Sequence, residues 1–199
     1  MSSVSNDSHP GTSSADSSTH RLRHWQRRVF ASVWITYFAF YLCRYNMPVA
    51  IKWLGGIFDW QEDRLGVILS ALTVMYAVGQ FVNGNLGDKY GGRAMLSLGA
   101  VASSVLSWIT SFGSSFWTLL IPWTANGYVQ SLGWAPGSRL ISNWWGHGER
   151  AKAFGFYMFA AAFSSVLTFA LSIAILAYLD WRWVFRLPVL LLFGAGIVY

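Results

Sequence analysis

Long apolar runs separated by short polar turns set the pattern of this chain. A soluble helix shows a narrower apolar stripe, interrupted every few residues. Six runs stand out, at about 29–54, 65–86, 94–112, 116–142, 154–178 and 184–199, each read against the roughly 20 helical residues that cross a bilayer. The connections between them are brief: "DWQEDR", "GDKYGGR", "SFGSS", "NWWGHGERAK" and the aromatic "YLDWRW". Ahead of the first run, residues 1–24 are polar and Ser-rich, which predicts a disordered tail. Four arginines then precede the first run, the order of an uncleaved signal-anchor. The pattern therefore predicts an all-α, polytopic membrane protein, with a tail over 1–24 and a six-helix bundle over 25–199. The final run is short and carries no basic flank, so the expectation is the first half of a longer protein whose C-terminal half is missing.

Composition agrees: 54% of residues are hydrophobic and 11% charged, against about 25% charged in soluble domains. The net charge of +6 does not point to nucleic acid, because the basic residues form short clusters between runs rather than one dense face. Counted on alternate sides, Arg21, Arg23, Arg27, Arg28, Lys89, Arg93, Arg150 and Lys152 share one face of the bilayer. Lys52, Arg64, Arg182 and Arg186 share the other. That bias predicts a multi-pass protein of the cell (inner) membrane with a cytoplasmic N-terminus. Cys43 is the sole cysteine, which excludes an intrachain disulfide and a Cys-based metal site. The reading calls for no metal and no cofactor.

The candidate chemistry centres on Arg44. All eight acids (Asp7, Asp16, Asp59, Glu62, Asp63, Asp88, Glu149 and Asp180) fall in the tail or in loops, so none is at Arg44's depth to neutralise it. The spacing puts Arg44 well inside the first helix, about 22 Å from Val29 at 1.5 Å per residue. Intramembrane ionisable groups mark ligand or ion paths, and a guanidinium fork suits a phosphate or carboxylate. Tyr37, Tyr41 and Pro48 share Arg44's face by helical spacing. The second run repeats the polar stripe with Thr73, Tyr76, Gln80 and Asn83, and the fifth with Tyr157, Ala161, Ser164, Thr168 and Ser172. Such stripes line a cavity or hydrogen-bond between helices. In the fourth run Gly127, Gly133 and Gly137 permit close helix approach, Pro136 can bend the helix, and Gln130 and Trp134 share a face. Arg139, near the run's end, can snorkel. No run carries the paired carboxylates, His–Cys cluster or Ser–His arrangement of an enzyme.

The loop "GNLGDKYGGR" resembles the signature loop of the major facilitator superfamily. "YFAFYLCRYNMPVA" and "GYVQSLGWAPGSRLISNWWGHGERAKA" resemble the organophosphate:phosphate antiporters, which include glycerol-3-phosphate and hexose-phosphate transporters. The resemblance runs from about Val29 to the end and implies six of twelve helices, arranged as two inverted three-helix repeats. It implies that Arg44 binds phosphate, with Tyr37, Tyr41, Tyr76, Gln80, Gln130 and Trp134 around it. A second arginine would come from the seventh helix, in the missing half. Asp88 and Arg93 would latch the cytoplasmic side. The implied function is transport of a small organic phosphate or related organic anion, exchanged for inorganic phosphate by alternating access. The implied partners are the anionic solute, the lipid bilayer and the missing half. Glycerol-3-phosphate carriers have lysines where this chain has Gln80 and Tyr45 and a histidine near Ala161, so the cavity expected here is less basic. A membrane sensor of a sugar phosphate and a carrier of a non-phosphorylated organic anion are the alternatives.

Overall fold

Two prolines decide how the apolar runs become helices. A proline inside a helix lacks an N–H and its ring collides with the carbonyl four residues earlier, at Arg44 for Pro48 and Leu132 for Pro136. In a computed structural model that describes residues 11–198, with side chains from His20 onward except Asp88, the helices break there. Helix α1 (Gly11–Leu42) stops short of Arg44 and α2 (Asn46–Phe58) restarts just beyond it. Helix α5 (Phe116–Gln130) passes through a 3-10 turn, Ser131–Gly133, into α6 (Trp134–Trp144). In both cases the proline is the third residue of the new helix, where its missing N–H has no intrahelical partner to lose. The sequence reading of one continuous first helix with Arg44 inside it is thereby corrected: Arg44 lies in the interruption.

The other crossings are α3 (Glu62–Tyr90), α4 (Gly92–Thr110), α7 (His147–Tyr178) and α8 (Arg182–Ile197). Stretches within three of the helices, Glu62–Gly87, Gly92–Thr110 and His147–Tyr178, are long and apolar enough to cross a membrane unbroken. The α1–α2 and α5–α6 crossings are split at their breaks, and α8 has 16 residues. Helix α1 begins well before the apolar run, so residues 11–24, read from sequence as disordered, are helical. Once a helix has nucleated, each further residue adds a hydrogen bond for little extra ordering, which lets it run into a polar segment. Residues 1–10 lie outside the described residues.

The turns follow local chemistry. Asp59 caps α2 in the left-handed region (φ 53°), which Asp tolerates better than most residues, and the Trp60 N–H donates back to the Gly55 carbonyl. Ser115 and Thr118 form a reciprocal capping box at the start of α5. Gly91 alone links α3 to α4 at φ 86°, which a side chain would resist.

Packing reveals an internal symmetry. Helix α3 packs on α5 as α7 packs on α1; α4 packs on α5 as α8 packs on α1; and α4 and α8 pack on each other. Exchanging the triplet α1–α2, α3, α4 with α5–α6, α7, α8 leaves this pattern unchanged. An odd number of crossings separates the triplets, so they run in opposite directions, as in inverted repeats. Gly127 lets α5 lie against α3 so closely that a Cβ there would strike the Leu72 carbonyl oxygen, and Gly137 does the same for the Tyr157 hydroxyl.

Apolar side chains form two cores, one around Val33, Phe40, Leu96, Ile141 and Leu192, the other around Met47, Leu54, Ile68, Trp123 and Phe185. Between them lies a layer of buried polar residues: Asn46, Ser103, Ser107, Asn126, Gln130, Ser131, Ser164 and Thr168. Apart from the Gln130 amide nitrogen, their side chains find hydrogen-bond partners, as buried groups usually do. Ser103 Oγ donates to Asn126 Oδ1 at 2.7 Å, and Asn126 Nδ2 donates to Ser107 Oγ at 3.1 Å. Pro188 leaves the Val184 carbonyl without its helical donor, and Asn46 Nδ2 supplies one at 3.3 Å. Cys43 belongs to one core and Met47 to the other, so Arg44 stands where the cores meet.

Candidate functional site

Arg44 enters the polar layer because its backbone is freed from helical geometry. Its guanidinium carbon lies 4.5 Å from the Tyr41 ring centroid and 4.2 Å from that of Tyr76 on α3. Each π-face attracts the cation, by about 2 kcal/mol where water is largely excluded. Nε donates to Gln130 Oε1 at 2.8 Å, tying one break to the residue just before the other. Among the described residues no carboxylate comes within ion-pair distance, and the two terminal nitrogens have no hydrogen-bond partner.

Arg44 lines a cavity of about 250 Å³ whose walls also include Tyr45, Leu69, Thr73, Tyr76 and Trp123. Two further donors lack partners, both buried: Gln130 Nε2, and Nε1 of Trp123, a residue that lines the cavity. A buried unpaired donor costs about 1–3 kcal/mol, so both are unusual. The site therefore combines one fixed cation with idle N–H groups, suited to an acceptor-rich anion.

The other expected residues divide into two groups. Tyr37 donates to the Tyr41 hydroxyl at 3.2 Å and stacks on Tyr157 with ring centroids 4.1 Å apart. Trp134 stacks on Tyr157 at 5.6 Å and leans on Tyr37 at 5.9 Å. This triad, buried at Tyr37 and Tyr157 and half-buried at Trp134, forms an aromatic wall beside Tyr41, and the Tyr157 hydroxyl donates to the Gly133 carbonyl at 3.0 Å. No hydrogen bond joins Gln80 to Arg44. Its Nε2 donates to the Ser131 carbonyl at 3.4 Å, while Asn83 donates to the Tyr128 carbonyl and Ser131 Oγ. Helix α3 thus satisfies the backbone that the 3-10 turn exposes. Of the latch pair, the Asp88 side chain lies outside the described residues, and Arg93 is exposed beside Arg28 and Trp25.

Sequence reasoning left Trp123 and Tyr157 out of the site. Trp123 is seven residues before Gln130, hence on the same helical face, and Tyr157 headed the fifth polar stripe.

A family model described as Major Facilitator Superfamily matches residues 33–199. A "Probable hexose phosphate transport protein" from Chlamydia pneumoniae is 26% identical over 178 residues, 89% of this chain and 39% of that protein. The "Membrane sensor protein UhpC" of Salmonella typhimurium is 24% identical, covering 89% of this chain and 40% of that protein. The "Glycerol-3-phosphate transporter" of Bacillus subtilis is 27% identical, with 90% and 40% covered. The chain thus spans about two fifths of the length of these relatives. The solved structure of the proton:xylose symporter XylE superposes with a TM-score of 0.77 at 16% identity, over 89% of this chain and 45% of that one. A match over most of the described bundle and the same helical arrangement lead to one conclusion: the chain belongs to the Major Facilitator Superfamily.

Proposed function

We propose that this chain forms the anion-binding, N-terminal half of a carrier for a small organic phosphate or related organic anion, exchanged for inorganic phosphate. The observation that carries the reading is Arg44: a cation between two apolar cores, without a carboxylate partner among the described residues, in the lining of a cavity. The anion supplies the missing charge and accepts from the guanidinium edge and Trp123 Nε1, while Tyr41, Tyr76 and Gln130 hold the guanidinium in place. Tyr37 and Trp134 back this arrangement, and Gln80 fixes the broken backbone beside it. The names of the relatives support a phosphorylated solute.

Alternating access follows from the inverted repeats, each with one broken helix that reaches the site. Asp88 and Arg93 serve as the latch at the α3–α4 link. The N-terminus is cytoplasmic in a cell (inner) membrane. Three basic segments converge on one end of the bundle, where Gln26 Nε2 donates to the Trp144 carbonyl at 2.7 Å and Arg28 and Arg93 line one cavity.

The test is phosphate exchange in vesicles with the full-length protein and its Arg44→Lys variant. Lysine keeps the charge but loses the fork, so exchange should fall by 10-fold or more, about 1.4 kcal/mol. Unimpaired exchange with lysine would sink a forked site. The relative named as a sensor supports a second reading, in which the same site binds a sugar phosphate and signals without transporting it. Binding without uptake would favour that reading.

A further inference from the structure

At the basic end of the bundle, away from Arg44, a cavity of about 480 Å³ opens between the middle of α1 and the start of α7. Arg23 and Arg27 line it from one side and Lys152 from the other; Glu149 is the single carboxylate among its lining residues. Among the described residues these three cations have no ion-pair partner. The walls are fixed by bonds that do not use the cations. Gln26 bridges to the Trp144 carbonyl, Phe30 meets Trp145 edge-on at 5.5 Å, and Arg150 holds the α6–α7 corner through the Ser142 carbonyl at 2.8 Å.

Two of the cations, Arg27 and Lys152, stand at the head of an aromatic stripe. On α7, Lys152, Phe156, Phe159 and Phe163 follow at helical spacing, and the three phenylalanines are 65%, 57% and 47% exposed. On α1, Arg27 precedes Trp34 and Phe38, which stack at 5.4 Å. The stripes meet: Trp34 Nε1 donates to the Phe156 carbonyl at 2.9 Å, and Phe38 lies 5.9 Å from Phe163. A cationic mouth thus continues into an apolar groove that descends along the membrane-spanning part of both helices.

We infer that this groove binds an anionic phospholipid, with the phosphate among Arg23, Arg27 and Lys152 and an acyl chain along the phenylalanines. A free phosphate would use the cations but leave the groove uncovered, and a zwitterionic lipid would add a positive group to a mouth that already has an excess of two. Basic pockets between helices at a membrane face take anionic headgroups by this chemistry. The inference is independent of what Arg44 binds.

The experiment is native mass spectrometry of the full-length protein titrated with phosphatidylglycerol or phosphatidylcholine, with and without excess inorganic phosphate. Phosphatidylglycerol should bind more tightly, phosphate should not displace it, and the Arg23→Gln/Arg27→Gln/Lys152→Gln variant should lose affinity on the order of 100-fold. The Phe156→Gln/Phe159→Gln variant should weaken it with all three cations present, and Lys52→Gln/Arg64→Gln at the opposite face should not. Equal binding of the two lipids, an unchanged affinity in the triple variant, or displacement by phosphate would each overturn the inference. A melting temperature unchanged in the triple variant separates loss of binding from loss of fold.

Discussion

Arg44 and Gln130 are joined by a 2.8 Å hydrogen bond although 86 residues separate them in sequence. The bond connects the two interrupted helices of a symmetric bundle at the level where its two apolar cores meet. Because Gln130 Oε1 accepts from Nε, it orients the guanidinium without neutralising it.

That relationship makes Gln130→Glu informative. A carboxylate of the same shape would keep the hydrogen bond and supply Arg44 with a counter-charge. The expected result is retained folding with inorganic phosphate binding weakened about 30-fold, or about 2 kcal/mol. Isothermal titration of the full-length protein would check it, and undiminished binding would refute the neutralisation argument.

Trp123→Phe removes a buried donor that has no partner while keeping most of the ring's packing against Phe185. Thermal stability should stay level or rise by up to about 1 kcal/mol, since no bond is lost. Solute affinity should fall about 5–10-fold if the indole N–H donates to the bound anion. A loss of stability with unchanged affinity would identify the indole as packing alone.

Gln80→Leu separates two roles for the glutamine. Its hydrogen bond goes to the Ser131 carbonyl, so its loss should lower stability by about 1–3 kcal/mol through an unsatisfied acceptor. Phosphate affinity should change less than threefold, a difference read from melting curves and titrations on one preparation. The reverse pattern would return Gln80 to direct solute contact.

Gly127→Val tests the close approach of α5 to α3. Any Cβ there meets the Leu72 backbone, which cannot rotate away as a side chain can. The variant should lose about 1–3 kcal/mol or fail to fold, with Gly56→Val, in open space, as the tolerated control. Fluorescence-detected size exclusion after heating would rank the two.

Much of this architecture was legible in the sequence. The apolar runs located six crossings, and the lack of an acid within the runs singled out Arg44 as the candidate. The breaks were harder to read. Pro48 and Pro136 are visible in the sequence, but whether a proline bends a helix or interrupts it depends on who satisfies the freed carbonyls. At the Pro136 break, donors from distant segments reach the carbonyls of Ser131, Tyr128 and Gly133: Gln80 and Asn83 on α3, and Tyr157 on α7. The same long-range pairing explains why Gln80, placed around Arg44 by the family resemblance, bonds the 3-10 turn. Trp123 was missed for a simpler reason: an indole in an apolar run reads as packing until its N–H is found without an acceptor. The helical start of α1 was also out of reach, since its polar residues favour helix only as an extension of the apolar part.

The break at Arg44 bears on biogenesis. As the first crossing leaves the ribosome, it presents a short apolar stretch ending in an arginine, a residue that insertion machinery resists by about 2.5–3.5 kcal/mol at mid-membrane. Tyr76 has not yet been synthesised, and Gln130 follows only with the fourth crossing. The first segment therefore enters the bilayer as a poor substrate for insertion and gains its full complement of neighbours late. Its final depth is set by the helices that follow it, so variants in α3 or α5 should show their first defect as misplaced topology of α1.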